Sequence, residues 1–349
     1  MSNLKEYSCK PLATIALCIV TFLACSENSV GPDRNENEIE IYPEEAGWSQ
    51  EKLEGVKDFA EQAGSAAVIA LYDGQIFFSW GNVSENYRCQ SIRKLFLGAL
   101  YGIFINRNII DTNSTLQQLN IDDIPPGLTQ SEKQARIKDL LMSRSGVYHE
   151  AAAEAQWMID TRPARGSHAP GEYFYYNNWD FNAACTIFEQ KVGIGIFETF
   201  KTEIADLLGM EDFSTDLCFY NYENNKSIHP SYSFGMSARD MAKFGALYLK
   251  KGNWFGKQII PENWITESTK TYSILFESVD WGYGMLCETY PYGSEGSFGH
   301  MGGAGHWILV LPEENLVIVH HVDYLNQNTF NGAHLIQIAE MILDARLDD

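Results

Sequence analysis

Positive charge is scarce in this chain. Only 25 lysines and arginines stand against 46 aspartates and glutamates in 349 residues, giving a formal net charge of −21. Nucleic-acid binders need basic patches to neutralise phosphates, so that class of partner is not expected. The same charge opposes docking on an anionic membrane surface. Beyond the N-terminal segment, cysteine is limited to Cys89, Cys185, Cys218 and Cys287, widely separated and without a Cys-x-x-Cys pair, so no zinc site is expected. Disulfides and buried free thiols both remain open for these four. No apolar run of 18 residues interrupts the body of the chain, so no internal membrane span is expected.

Several catalytic signatures are also missing. There is no Gly-x-Ser-x-Gly elbow, and His149-Glu150 lacks the second histidine of a His-Glu-x-x-His zinc site. No glycine loop follows a strand in the manner of a phosphate cradle. His320 and His321 fall in a strand pattern, where neighbouring side chains point to opposite faces, so they are not read as paired metal ligands. Neither a metal nor an organic cofactor is expected.

The N-terminus carries a targeting pattern. Lys5 and Lys10 precede a short apolar stretch from Pro11 to Ala24, which is too short to span a membrane and reads as a secretory signal covering residues 1–24. Ala24 before Cys25 resembles a bacterial lipoprotein signal, in which the cysteine is lipidated and becomes the first residue. Residues 25–45, rich in Asn, Glu and Pro, read as a disordered tether. The expected location is the bacterial cell envelope, facing the periplasm and outer-membrane-bound, with membrane contact only through the lipid.

Residues 46–349 are long and apolar enough, at 45% hydrophobic for the whole chain, for one large domain or two intimate ones. Ser49 to Gly64 reads as a capped helix, and Ala66–Tyr72 and Gln75–Trp80 as strands joined by the tight turn Asp73-Gly74. A strongly apolar helix, Leu95 to Ile105, follows. Residues 111–235 read as a mainly helical region broken by Pro and Gly loops. Ser237-Ala238-Arg239-Asp240 caps a helix with Met241, Phe244, Leu247 and Tyr248 as its stripe. Trp281–Cys287 reads as one strand, Trp307–Leu311 and Leu316–His321 as a hairpin, and Ala333–Leu347 as a closing helix. The pattern predicts an α+β fold. Its antiparallel sheet is built from both chain ends, about 46–110 and 236–349, and flanked by helices, with the region 111–235 inserted.

Ser91 and Lys94 are the pair most suggestive of chemistry. A serine hydroxyl needs a base within hydrogen-bond reach, and residues three apart on a helix share a face. A lysine whose pKa is lowered by burial can be that base. Ser-x-x-Lys also occurs at Ser2/Lys5, within the targeting segment, and at Ser49/Lys52, where Ser49 reads as an N-cap. Only Ser91/Lys94 opens a helix apolar on most sides. Tyr175-Tyr176-Asn177-Asn178, after Pro170-Gly171, could supply a proton relay and an amide, although aromatic clusters usually pack. The run Gly299 to His306 beside a strand could expose backbone N–H groups for an oxyanion, or be a loop or bulge.

These three elements, in this order, resemble the penicillin-recognising serine hydrolases: class C β-lactamases, D,D-peptidases, D-aminopeptidases, certain esterases and 6-aminohexanoate-oligomer hydrolases. The runs Leu140-Leu141-Met142-Ser143-Arg144-Ser145-Gly146-Val147 and Ser237 to Met241, and the Pro312 hairpin, also look familial. The resemblance implies a β-lactamase/D,D-peptidase-like fold from about Trp48 onward. It implies Ser91 as acylated nucleophile, Lys94 as its base and Tyr176 as the catalytic tyrosine, with Asn178 closing Tyr-x-Asn. Tyr175/Asn177 is the alternative register. The third element falls on His300-Met301-Gly302, where β-lactamases carry a lysine in place of His300. That departure puts efficient β-lactam turnover in doubt. In this register the N–H groups of Ser91 and Gly303 form the oxyanion hole, and His300, Gly302 and Gly303 border the substrate. Arg93 is expected to face away from Ser91. The implied activity is amide or ester hydrolysis of a small-molecule or peptide-like substrate. The alternatives are a β-lactamase or D,D-peptidase, or a non-catalytic lipoprotein binding peptidoglycan fragments.

Overall fold

The computed structural model describes residues 40–291, 296–325 and 330–347. The expected signal segment, the expected lipidation of Cys25 and most of the expected tether lie outside the described residues, and with them the envelope location they would imply. The end of the expected tether is ordered, contrary to its assigned boundary at 45. Ile41 N–H donates to Ile76 O at 2.9 Å, and Pro43–Ala46 forms a helical turn with Ala46 buried.

An eight-stranded antiparallel sheet organises the chain. Its strands are β1 (Ala67–Tyr72), β2 (Gln75–Gly81), β3 (Ser273–Phe276), β4 (Trp281–Tyr283), β5 (Glu288–Tyr290), β6 (Ser297–Gly302), β7 (His306–Leu311) and β8 (Leu316–His321). Their spatial order is β2-β1-β8-β7-β6-β5-β4-β3, so the two chain ends meet at the β1–β8 pair, with Ala70 opposite Ile318. Asp73 and Gly74 both have positive φ, 52° and 86°, which matches the twist a two-residue hairpin needs.

The central strands are apolar on both faces because both are covered. Alternate residues divide between two cores. Ile69, Leu71, Ile308, Val310, Val317 and Val319 pack in a cluster with α4 (Ala238–Leu249). Val68, Ala70, Leu309, Leu316 and Ile318 face α1 (Gln50–Ala63) and the C-terminal α5 (Ala333–Asp344). Each such buried Val, Leu or Ile side chain contributes about 1.5–3 kcal/mol. The caps act as the sequence suggests: Ser49 Oγ accepts from Lys52 N–H at 3.3 Å, and Ser237 Oγ from Asp240 N–H at 3.2 Å. The apolar helix α2 (Arg93–Asn106) runs through the larger core, every residue from Arg93 to Phe104 buried.

Two expectations are corrected. Trp281–Cys287 is not one strand: Gly284–Cys287 turns the chain, Leu286 at φ 56°, so that Gly282 of β4 pairs Thr289 of β5. Residues 111–235 are not mainly helical. Among the described residues only α3 (Asn178–Val192) and the run Ile196–Leu208, whose centre Lys201–Ala205 is π-helical, exceed two turns; the other helices there have six residues or fewer and loops make up most of the rest. Side-chain carboxylates order the loops instead, as where Asp123 receives Ile228 N–H at 2.9 Å and Trp179 Nε1–H at 2.7 Å.

Candidate active site

Ser91 sits in a single 3₁₀ turn, Gln90–Ile92, that feeds directly into α2. Gln90 takes φ 52°, a left-handed conformation uncommon for a non-glycine residue. The turn is pinned from two sides. Cys89 N–H donates to Phe234 O at 2.9 Å, and β6 approaches so closely that a Cβ on Gly302 would lie 2.5 Å from Cys89 O. Glycine at 302 is therefore a requirement of close approach rather than of flexibility.

One helical turn on, Lys94 is 1% exposed. Its Nζ lies 2.8 Å from Ser91 Oγ and 2.8 Å from the Tyr176 hydroxyl. It also stands 4.6 Å above the rings of both Tyr176 and Phe181. Burial, with the nearby Arg93 charge, holds the amine well below the usual lysine range; Glu288 opposes this. Burial, then Glu288, pushes the Tyr176 hydroxyl well above the ordinary tyrosine range.

Tyr176 is held by the loop ahead of α3. Tyr175 O accepts from Ser143 Oγ at 2.6 Å, and Asn177 N–H donates to the same Oγ at 3.0 Å. Ser143 belongs to the run Leu140–Val147, which forms the seat of this loop. The alternative register points elsewhere: the Tyr175 hydroxyl donates to Met158 O at 2.6 Å, while Asn177 caps α3 and bonds Val147 O at 2.7 Å.

A cleft of about 410 Å³ opens over Ser91. Tyr176, Asn178, Gly302 and Gly303 line it, with Trp157 and Phe276 as aromatic wall. A Cβ on Gly303 would meet nothing within 4 Å, so this backbone borders open space. The glycine run is not a loop beside a sheet edge. Residues 299–302 belong to β6, an interior strand, and only Gly303–Gly305 turn out of it.

His300 departs from its expected place. It is fully buried, does not line the cleft, and its Nδ1 lies 2.9 Å from Met301 O and 3.3 Å from Glu288 Oε1. Burial, then the Lys94 charge, pushes its pKa well down. A neutral imidazole packed beneath the floor cannot offer the cationic contact that a lysine there would make. Arg93 departs in the opposite sense: it lines the cleft with Ser91. Helix side chains tilt toward the N-terminus, and the cleft lies off that end of α2, so Arg93, the first residue of the helix, reaches it.

Glu288 was not visible in the sequence as a site residue, because the strand signal ended before it. It lines the cleft, receives Met301 N–H at 2.9 Å and the Tyr290 hydroxyl at 2.7 Å, and burial raises its pKa to about 7. Among the described residues no cluster of three metal-ligating side chains occurs, and Cys89, Cys185, Cys218 and Cys287 are free thiols.

A two-face-covered antiparallel sheet, with Ser, Lys and Tyr gathered at the entry to a buried helix, defines the class of β-lactamase/penicillin-binding-protein-like folds. The family model for Beta-lactamase matches residues 51–340, and the chain belongs to that family. No curated relative matches it by sequence. Among solved structures it is similar to a Bacillus anthracis protein provisionally named a 6-aminohexanoate-dimer hydrolase, at 22% identity and TM-score 0.63 over 82% of this chain and 80% of that one. It is also similar to an octameric penicillin-binding protein homologue from Pyrococcus abyssi (17%, TM-score 0.63, 85% and 78% of the chains). A penicillin-binding protein homologue from Caulobacter crescentus matches as well (11%, TM-score 0.64, 86% and 99%). These likenesses show the fold, and members of the family are generally serine hydrolases.

Proposed function

We propose that the protein is an esterase or amidase working through an acyl-enzyme on Ser91. One observation carries this: a fully buried lysine amine within 2.8 Å of both a serine and a tyrosine oxygen at the floor of a cleft. Lys94, kept neutral by burial, takes the Ser91 proton as Oγ attacks the substrate carbonyl. The N–H groups of Ser91 and Gly303 receive the oxyanion. Tyr176, whose raised pKa keeps it protonated, passes a proton to the leaving nitrogen or oxygen and is reprotonated through Lys94. Water then attacks the acyl carbonyl, and Ser91 recovers its proton. Asn178 orients the substrate from the cleft wall.

The buried, neutral His300 disfavours efficient β-lactam turnover, because the carboxylate partner of β-lactams is missing there. A non-catalytic binder would have no use for a desolvated amine beside a serine.

The test uses wild type, Ser91→Ala and Lys94→Ala with a fluorescent fluorophosphonate, a fluorescent penicillin and 4-nitrophenyl acetate. Fluorophosphonate labelling and ester turnover lost in both variants are expected. Labelling by penicillin with slow ester turnover would favour the cell-wall reading. No reaction in folded protein would overturn the enzyme reading. Tyr176→Phe is expected to lose about 10²–10⁴-fold in kcat with the Ser91 label retained.

A further inference from the structure

Arg93 is the unusual charge in this site. It is 6% exposed, yet no carboxylate forms an ion pair with it among the described residues. Nη2 makes one long contact, 3.5 Å to Asn182 Oδ1, and the guanidinium lies 4.3 Å over the Tyr232 ring. Its Nη1 is buried with no hydrogen-bond partner. An enclosed guanidinium normally has an anion against it, because desolvating an unpaired charge is costly. Asn178, on the same cleft wall, holds its Nδ2 against Ala153 O at 2.5 Å and leaves Oδ1 buried without a donor. Arg93 and Asn178 both line the cleft that holds Ser91, and each keeps one polar atom enclosed and without a partner.

We infer that Arg93 is a specificity residue that binds a carboxylate of the substrate, selecting small acyl compounds that carry an acid group away from the scissile bond. The inference rests on Ser91 being the nucleophile. Glu288, the only acidic side chain lining the cleft among the described residues, is not paired with Arg93, so a substrate carboxylate would occupy the guanidinium's side of the cleft and avoid Glu288. Asn178 Oδ1 can accept an N–H from an amide substrate at the same wall. A planar guanidinium suits this role, because it can hold a carboxylate with two parallel N–H bonds.

The experiment compares 4-nitrophenyl monoesters of dicarboxylic acids, from glutarate to suberate, with methyl-ended esters of the same length, spontaneous hydrolysis subtracted. Wild type is expected to prefer at least one acid-ended ester by tenfold or more in kcat/KM. Arg93→Gln should bring that ratio toward one, and Arg93→Lys should leave it intermediate. No preference at any length in wild type overturns the inference, as does a preference undiminished in folded Arg93→Gln. If Arg93→Gln does not fold, the wild-type ratio and Arg93→Lys decide. If every ester is inert and Ser91 takes no label, the catalytic reading falls separately. Calorimetry of the free monoesterified acids, as methyl esters, with Ser91→Ala then decides the inference alone: binding weakened at least tenfold by adding Arg93→Gln supports it, and absent or unchanged binding overturns it.

Discussion

Glu288 is a carboxyl group with a cost that depends on pH. Its pKa rises to about 7 in the fold because burial disfavours the charged form, against 4.5 when free. Between those values the folded chain binds more protons than the unfolded chain. Stability from this group is therefore complete below about pH 4.5 and is lost as pH rises through 7, by up to roughly 3 kcal/mol. Glu288→Gln should flatten that fall, which Tm measured from pH 5 to 9 for both proteins would reveal. An equally steep decline in the variant would show that another group is responsible. Lys94 sets a different limb. As the proposed base its amine must be neutral, and burial holds its pKa down, so kcat/KM should climb to a plateau well before the ordinary lysine range. A pH–rate profile that keeps rising to the usual lysine pKa would contradict this.

Among the elements, the contact between the Ser91 turn and β6 is the most exacting. Gly302→Ala places a methyl group against Cys89 O, where backbone must give way. The expected result is a stability loss of about 1–3 kcal/mol, seen in urea unfolding, with kcat reduced more than KM is raised. This contact also marks the limit of the sequence reading. Helix α2, the capped α4 and the β7–β8 hairpin were legible because caps, turns and apolar periodicity are local signals. The meeting of Ser91, Lys94 and Tyr176 in space was legible too, through spacing and resemblance, while their catalytic roles are proposed. The central region read too helical, since its order comes from buried carboxylates such as Asp123 bonding distant backbone, which leaves no periodicity. β6 read as a loop because its glycines look like breakers, whereas long-range approach requires them. Arg93 is expected to face away because residue spacing gives the helix face alone, and spacing does not reveal that the cleft lies off the helix end. Glu288 was hidden by the unrecognised turn at Leu286.

Over the described residues the domain is closed where its first and last segments meet. Trp48 is fully buried, stacks on Phe77 at 4.3 Å between ring centroids, and donates from Nε1 to Ile342 O at 2.9 Å. Ser49 N–H donates to Ala345 O at 2.8 Å, and Leu347 N–H to Gly47 O at 2.8 Å. Trp48→Ala should lose about 3–5 kcal/mol in chemical denaturation, far more than an exposed aromatic such as Phe255 would. Bulk charge acts at longer range. With a net charge of −21, an anionic substrate is repelled before it reaches the cleft, so added salt should raise kcat/KM for acid-ended esters more than for neutral ones.

The pairing of β1 with β8 also bears on how the protein matures. Ser91 follows the first hairpin, whereas Gly302 and Gly303 arrive only with the last third of the chain. A ribosome-bound or truncated intermediate that lacks β6 has the proposed nucleophile but neither the strand that pins its turn nor the backbone proposed as second oxyanion donor. Loops this long close late, after local structure has formed. Hydrolytic competence should therefore emerge in one late step of refolding, together with burial of Trp48, rather than growing in parallel with helix content.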